Sequence, residues 1–106
     1  MITIEEFKKL ELKVAEIKDV QDHPNADKLY IITVDLGDRT KRVVAGIKPS
    51  YKKEELLGKQ VVVVDNLAAA VFRGVESQGM ILAASDDTGI VILTPQRNAK
   101  LGSVVK

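Results

Sequence analysis

Cysteine and tryptophan are both absent from the 106 residues. No disulfide framework and no Cys-based zinc site can exist, as suits a reducing compartment. Histidine occurs once, at His23, so a multi-histidine metal site is excluded as well. Aromatic residues make up only 4%, at Phe7, Tyr30, Tyr51 and Phe72. Single-strand nucleic-acid binders stack bases on several aromatics of one sheet face, and here only Tyr30 qualifies for that role. No apolar run approaches the ~20 residues of a membrane span, and "MITIEEFKKLELK" carries no long apolar core. What remains is ordinary globular composition, 45% hydrophobic and 29% charged. It fits a single domain over residues 1–106, expected to be soluble and cytoplasmic.

The net charge of +1 is unevenly spread. Met1 to Asp27 holds 4 basic and 7 acidic residues, Lys28 to Gln60 holds 8 and 4, and the rest holds 4 of each. A basic middle suits a polyanion on one face, although solvated surface charge produces the same count.

"TIEE", Thr3 to Glu6, is a capping box, with Ile2 and Phe7 at the positions of a hydrophobic staple, and predicts a short helix from Ile4 to about Leu10. In "ELKVAEIKDV", Leu12 and Val14 share a face while Ile17 and Val20 fall out of phase, predicting a bulged strand. "HPNADK" is a turn. "LYIITVDLG" and "RTKRVVAGI" read as strands joined around Gly37-Asp38. "SYKKEELLG" reads as a short helix with Ser50 as N-cap and Gly58 at its end. "QVVVVDN" is the fourth strand, "GMILAAS" the fifth, and "IVILT" a further extended segment. This order predicts an all-β fold: a five-stranded OB barrel with a short helix between strands three and four, a short N-terminal helix and a C-terminal extension. Such barrels bind ligands on the face of strands two and three, beside the loops joining strands 1–2 and 4–5. Here those loops are His23 to Asp27 and Leu67 to Ser77.

Catalytic motifs fail residue by residue. Gly74 lies three positions before Ser77, so the nucleophile elbow G-x-S-x-G is not present. Gly74 and Gly79 have the spacing of P-loop glycines, but Met80 and Ile81 replace the required Lys and Ser/Thr. Asp86-Asp87 reads as a hairpin tip. A non-catalytic protein without metal or cofactor is expected. The binding reading uses Arg39, Lys41 and Arg42 on strand three, with Lys28, Lys48 and Arg73 from loop edges as phosphate contacts. If Lys41 points outward, Arg42 lies on the other face. Asn66 and Ser77 can bond a phosphate or a 2′-hydroxyl, and Met80 can press on a base. Met80 as core, Asn66 as a strand-end cap and the glycines as turn formers are the plainer alternatives. The paucity of aromatics favours a folded RNA read by shape over a splayed single strand.

"HPNADKLYIITVDLG", "GIKPSYKKEELLGKQVVVVDNL" and "RGVESQGMILAAS" resemble the tRNA-binding domain at the C-terminus of methionyl-tRNA synthetases, which also occurs in free-standing tRNA-binding proteins, a synthetase-associated cytokine precursor and a bacterial secretion chaperone. The resemblance runs from Ile4 to about Lys106. It implies structure-specific binding of tRNA at its outer elbow, in the service of the synthetase's catalytic region in cis or in trans. It also implies a homodimer through the N-terminal helix and the segment Ile90 to Lys106. By position, the resemblance implies Lys28, Arg42, Asn66, Arg73, Ser77 and Met80 as the tRNA-facing residues; Arg39, Lys41 and Lys48 are additional phosphate contacts on the residue-level reading alone. The chain departs from the family in "AAAVF", Ala68 to Phe72, where proline and lysine are usual, and in Lys53, where a proline often stands. An uncharged loop suits a protein contact, so a protein-binding or chaperone-like dimer of the same fold is the alternative.

Overall fold

The computed structural model describes residues 1–106. It is 43% strand and 8% helix, built on a nearly closed five-strand antiparallel barrel, as an OB fold requires. The elements are α1 (Ile4–Phe7), β1 (Leu12–Asp22), β2 (Tyr30–Asp35), β3 (Thr40–Ala45), α2 (Lys53–Leu56), β4 (Gln60–Val64), β5 (Ala70–Phe72), β6 (Val75–Ser77), β7 (Met80–Ile81), β8 (Ala83–Asp86), β9 (Gly89–Ile92) and β10 (Val104–Val105). The main sheet runs β3-β2-β1-β4-β7, with β10 added to β1. Besides β10, β1 pairs β4 through its first half and β2 through its second. The register shifts between Ile17 and Asp19. That bulge lets both Ile17 and Val20 enter the same core despite their odd spacing.

β4 explains its own run of valines. Val61 and Val63 face the barrel interior with Ala15, Ile32, Val34 and Val43. Val62 and Val64 face outward into a second small core with Leu12, Phe7, Leu82 and Val105. A strand buried on both faces needs no polar alternation, and each such valine contributes about 1.5–3 kcal/mol relative to exposure. The C-terminal segment is fixed to this wall. Gly102 N–H donates to the Val14 carbonyl (2.8 Å), and the Gln60 amide exchanges two bonds with the backbone of Ala99 (2.7 and 2.9 Å).

The barrel closes between β3 and the Ser77–Gly79 segment, largely through side chains. Gln78 N–H donates to the Arg42 carbonyl (2.8 Å), and Gln78 Oε1 accepts Arg42 N–H (2.9 Å). Ser77 Oγ accepts Val44 N–H (2.9 Å) and donates to the Gly79 carbonyl (3.0 Å). Gly79 allows the approach, because a Cβ there would lie 2.9 Å from the Val64 carbonyl oxygen.

Four sequence expectations need correction. α1 is one turn, Ile4–Phe7, ending short of Leu10; Thr3 and Glu6 form the capping box, and Ile2 is exposed. α2 starts from Lys52, whose N–H is taken by Glu55 (2.8 Å), and not from Ser50. Ser50 Oγ instead accepts Ile90 N–H (3.1 Å), tying the β8–β9 hairpin to the chain after β3. The loop Leu67 to Ser77 contains the hairpin β5–β6. The expected fifth strand, Gly79 to Ser85, divides: β7 joins β4, while β8 leaves to pair with β9.

Candidate nucleic-acid interface

The turn between β1 and β2 and the β5–β6 hairpin are locked together by His23. His23 is 5% exposed. Nδ1 accepts Asn25 N–H (3.0 Å), which makes Nε2 the protonated nitrogen, and Nε2–H donates to the Phe72 carbonyl (2.8 Å). His23 N–H also bonds the Leu29 carbonyl (3.2 Å), closing the turn beside Lys28. The hairpin tip is Arg73-Gly74, with φ of 52° and 88°. Positive φ at both central residues is the geometry of a two-residue I′ turn, matching the twist of the strands. Lys28 and Arg73 therefore project from two loops joined at one histidine.

The basic residues divide into two groups. Lys28, Arg42 and Arg73 make no ion pair, and all three are exposed. Arg39 and Lys41 are consumed by Asp65. Val43 is fully buried, so Lys41 points into the barrel's end, and Asp65 follows Val61 and Val63 inward from β4. The side chain of Asp65 is 3% exposed and meets Lys13 (2.9 Å), Lys41 (2.7 Å) and Arg39. The Lys41 ammonium aims its hydrogen bond at the Asp65 carbonyl (2.6 Å), so its approach to Oδ1 is an ionic contact. Burial alone would raise the Asp65 pKa. The cations Lys41, Lys13 and Arg39 against the carboxylate outweigh it and hold the carboxyl well below the usual carboxylate range. Arg39 and Lys41 thus plug the barrel. Lys48 pairs with Asp22 (3.0 Å), alongside Lys53 (3.1 Å), with its Nζ 6.0 Å from the Tyr30 ring.

The remaining candidates also have structural employment. The Asn66 amide clasps the N-terminal segment, Oδ1 accepting Glu11 N–H (2.9 Å) and Nδ2 donating to the Lys9 carbonyl (2.7 Å). Ser77 is 3% exposed with its hydroxyl bonded on both sides, so its place is the barrel seam and not the open surface. Tyr30 is buried and gives its hydroxyl to the Tyr51 carbonyl (2.7 Å), which removes it as a stacking platform. Met80 is 45% exposed at the mouth of a cavity of about 400 Å³ between β3, the Leu67–Phe72 segment and β7. Sequence reasoning missed His23 as a loop lock, Gln78 as a seam residue, and Asp65 with Lys13. Only Asp65 had a local signal, two residues beyond an inward valine. No group of three metal-ligating side chains exists, and no helix is long and apolar enough to cross a membrane.

The family model described as "Putative tRNA binding domain" matches residues 12–104. The chain belongs to this family. The tRNA-binding-domain chain is 51% identical over 105 residues to a methionine–tRNA ligase of Pyrococcus furiosus, covering 99% of the chain and 14% of that protein. It therefore spans about one seventh of the length of that relative. A MetRS-related protein of Pyrococcus horikoshii superposes with a TM-score of 0.93 at 32% identity, covering 100% of this chain and 98% of that one. The CsaA chaperone protein of Picrophilus torridus gives 0.94 at 31% identity, covering both chains completely.

Proposed function

We propose that this domain is a non-catalytic tRNA-binding module of the cytoplasm, reading the outer elbow by backbone and shape and delivering or retaining tRNA for methionyl-tRNA synthetase. The carrying observation is a set of unpaired cations: Lys28 and Arg73 on two loops that His23 ties together, and Arg42 on β3, where Gln78 bonds its backbone. Met80 adds an apolar contact beside them. Asn66 and Ser77 act through the backbone they position, and Arg39, Lys41 and Lys48 bring charge that is already partly neutralised. Linked to a synthetase in cis or in trans, such a module strengthens capture through effective concentration without new catalytic contacts. Titration of several unrelated tRNAs at varied salt tests this. Equal affinities are expected, with three phosphate contacts giving a log–log salt slope of about −2 to −3. Absence of binding at low salt refutes it.

Dimerisation belongs to the same proposal. Ile2, Ile4, Leu10 and Val104 are exposed apolar residues on the N-terminal segment and β10, a surface suited to a second copy. Light scattering of the purified chain checks it, and a monomer at every concentration would exclude it. The chaperone-like alternative draws on one observation, the exposure of Val71 (68%) and Phe72 (45%) on the uncharged hairpin. Suppression of aggregation of an unfolded protein, unaffected by tRNA, would favour that reading.

A further inference from the structure

The cavity beside Met80 opens between β3, the Leu67–Phe72 segment and β7. Twelve of its fifteen lining residues are hydrophobic, among them Val44, Leu67, Ala70 and Phe72. Its one polar side chain, Ser77, has its hydroxyl already bonded to the backbone. Nothing inside can answer a charge, so the occupant's buried part is apolar. The rim is different. Arg42 shares a face of β3 with Val44, two residues on, and Arg73 directly follows Phe72. Neither arginine has an acidic partner. The N–H groups of Ala68 and Ala69 also enter no hydrogen bond within the chain.

An apolar slot whose walls continue along the chain into two free arginines, edged by unused backbone donors, matches the parts of a nucleotide. The flat base has an apolar face and acceptors on its edge, and its two flanking phosphates are anionic. An apolar peptide side chain would fill the slot but leave both arginines unanswered. We infer that this cavity receives one unpaired, unstacked nucleobase of the bound RNA, with the adjacent phosphates on Arg42 and Arg73. The inference rests on the tRNA-binding reading and adds to it a base-sized subsite that backbone recognition alone does not require. Volume agrees: about 400 Å³ lies within the range of small-molecule sites.

The chain has no tryptophan, so Phe72→Trp places a sole emitter on the cavity wall at a position 45% exposed in the parent. Saturating tRNA should quench that emission by stacking. Ala70→Phe, which fills the slot, should weaken tRNA binding about tenfold and leave the salt slope unchanged, because a stacking contact releases no counterion. Salt-dependent binding of tRNA by the parent chain, with unaltered Phe72→Trp emission and a neutral Ala70→Phe, would overturn the base subsite while preserving the tRNA reading. Failure of the parent chain to bind tRNA at low salt would remove both. An emission shift on adding casein, with none on adding tRNA, would assign the cavity to protein chains and overturn the inference.

Discussion

Asp65→Asn isolates the ionic plug with almost no change of volume. In the parent, one carboxylate with a 3% exposed side chain answers Lys13, Lys41 and Arg39, whose side chains are 23%, 19% and 39% exposed. Breaking a fully buried pair by removing one partner costs about 3–5 kcal/mol. Three partly exposed cations recover some hydration by swinging outward, which places the expected loss at about 2–4 kcal/mol at pH 7. For a domain of this size that lowers Tm by about 10–20 °C. The pH dependence is the sharper test. Asp65 titrates in the folded state well below its unfolded value of about 3.9. Its contribution is therefore present above that unfolded value and is lost as pH falls through the folded one. Asparagine cannot titrate, so urea-unfolding free energies of parent and variant should differ most from about pH 5 upward and converge toward pH 2. A gap that stayed constant from pH 7 to pH 2, or one below about 0.5 kcal/mol at pH 7, would refute the plug's ionic account.

Lys41→Gln and Arg42→Gln, neighbours on one strand, should fail in opposite ways. The first should lower stability by about 1–2 kcal/mol with the tRNA salt slope unchanged. The second should leave stability within about 0.5 kcal/mol and reduce the slope by about 0.7–0.9. Gly79→Ala forces a methyl against the Val64 carbonyl and should cost about 1–3 kcal/mol in thermal unfolding. Asn66→Ala removes two bonds to the N-terminal segment. It should speed hydrogen exchange at Glu11 N–H and tryptic cleavage after Lys9, with a stability loss of about 1 kcal/mol.

Local chemistry made much of this fold legible. The Ile17–Val20 phase change announced the bulge, Thr3 and Glu6 announced the helix start, and the valine run announced a strand, though not its burial on both faces. Long-range pairing was not legible. Ser50 has the look of an N-cap, but its hydroxyl is claimed by Ile90, 40 residues away. The β5–β6 hairpin escaped because "AAAVF" has no alternation and its turn puts an arginine at positive φ, a conformation uncommon outside glycine. The site was half legible. The residue types suited to phosphate were visible, but their availability depends on Asp65, which takes Arg39 and Lys41 out of play and leaves Arg42 free.

The His23 bond to Phe72 reaches across 49 residues, and with the two side-chain bonds at Ser77 and Gln78 it pins the Asn66–Gly79 stretch at both its tip and its base. A free stretch of that length would have to be immobilised whenever a partner arrived, at about 1–2 kcal/mol per backbone residue fixed. Here the chain has met that entropic demand during folding, so the surface that greets a ligand is preorganised.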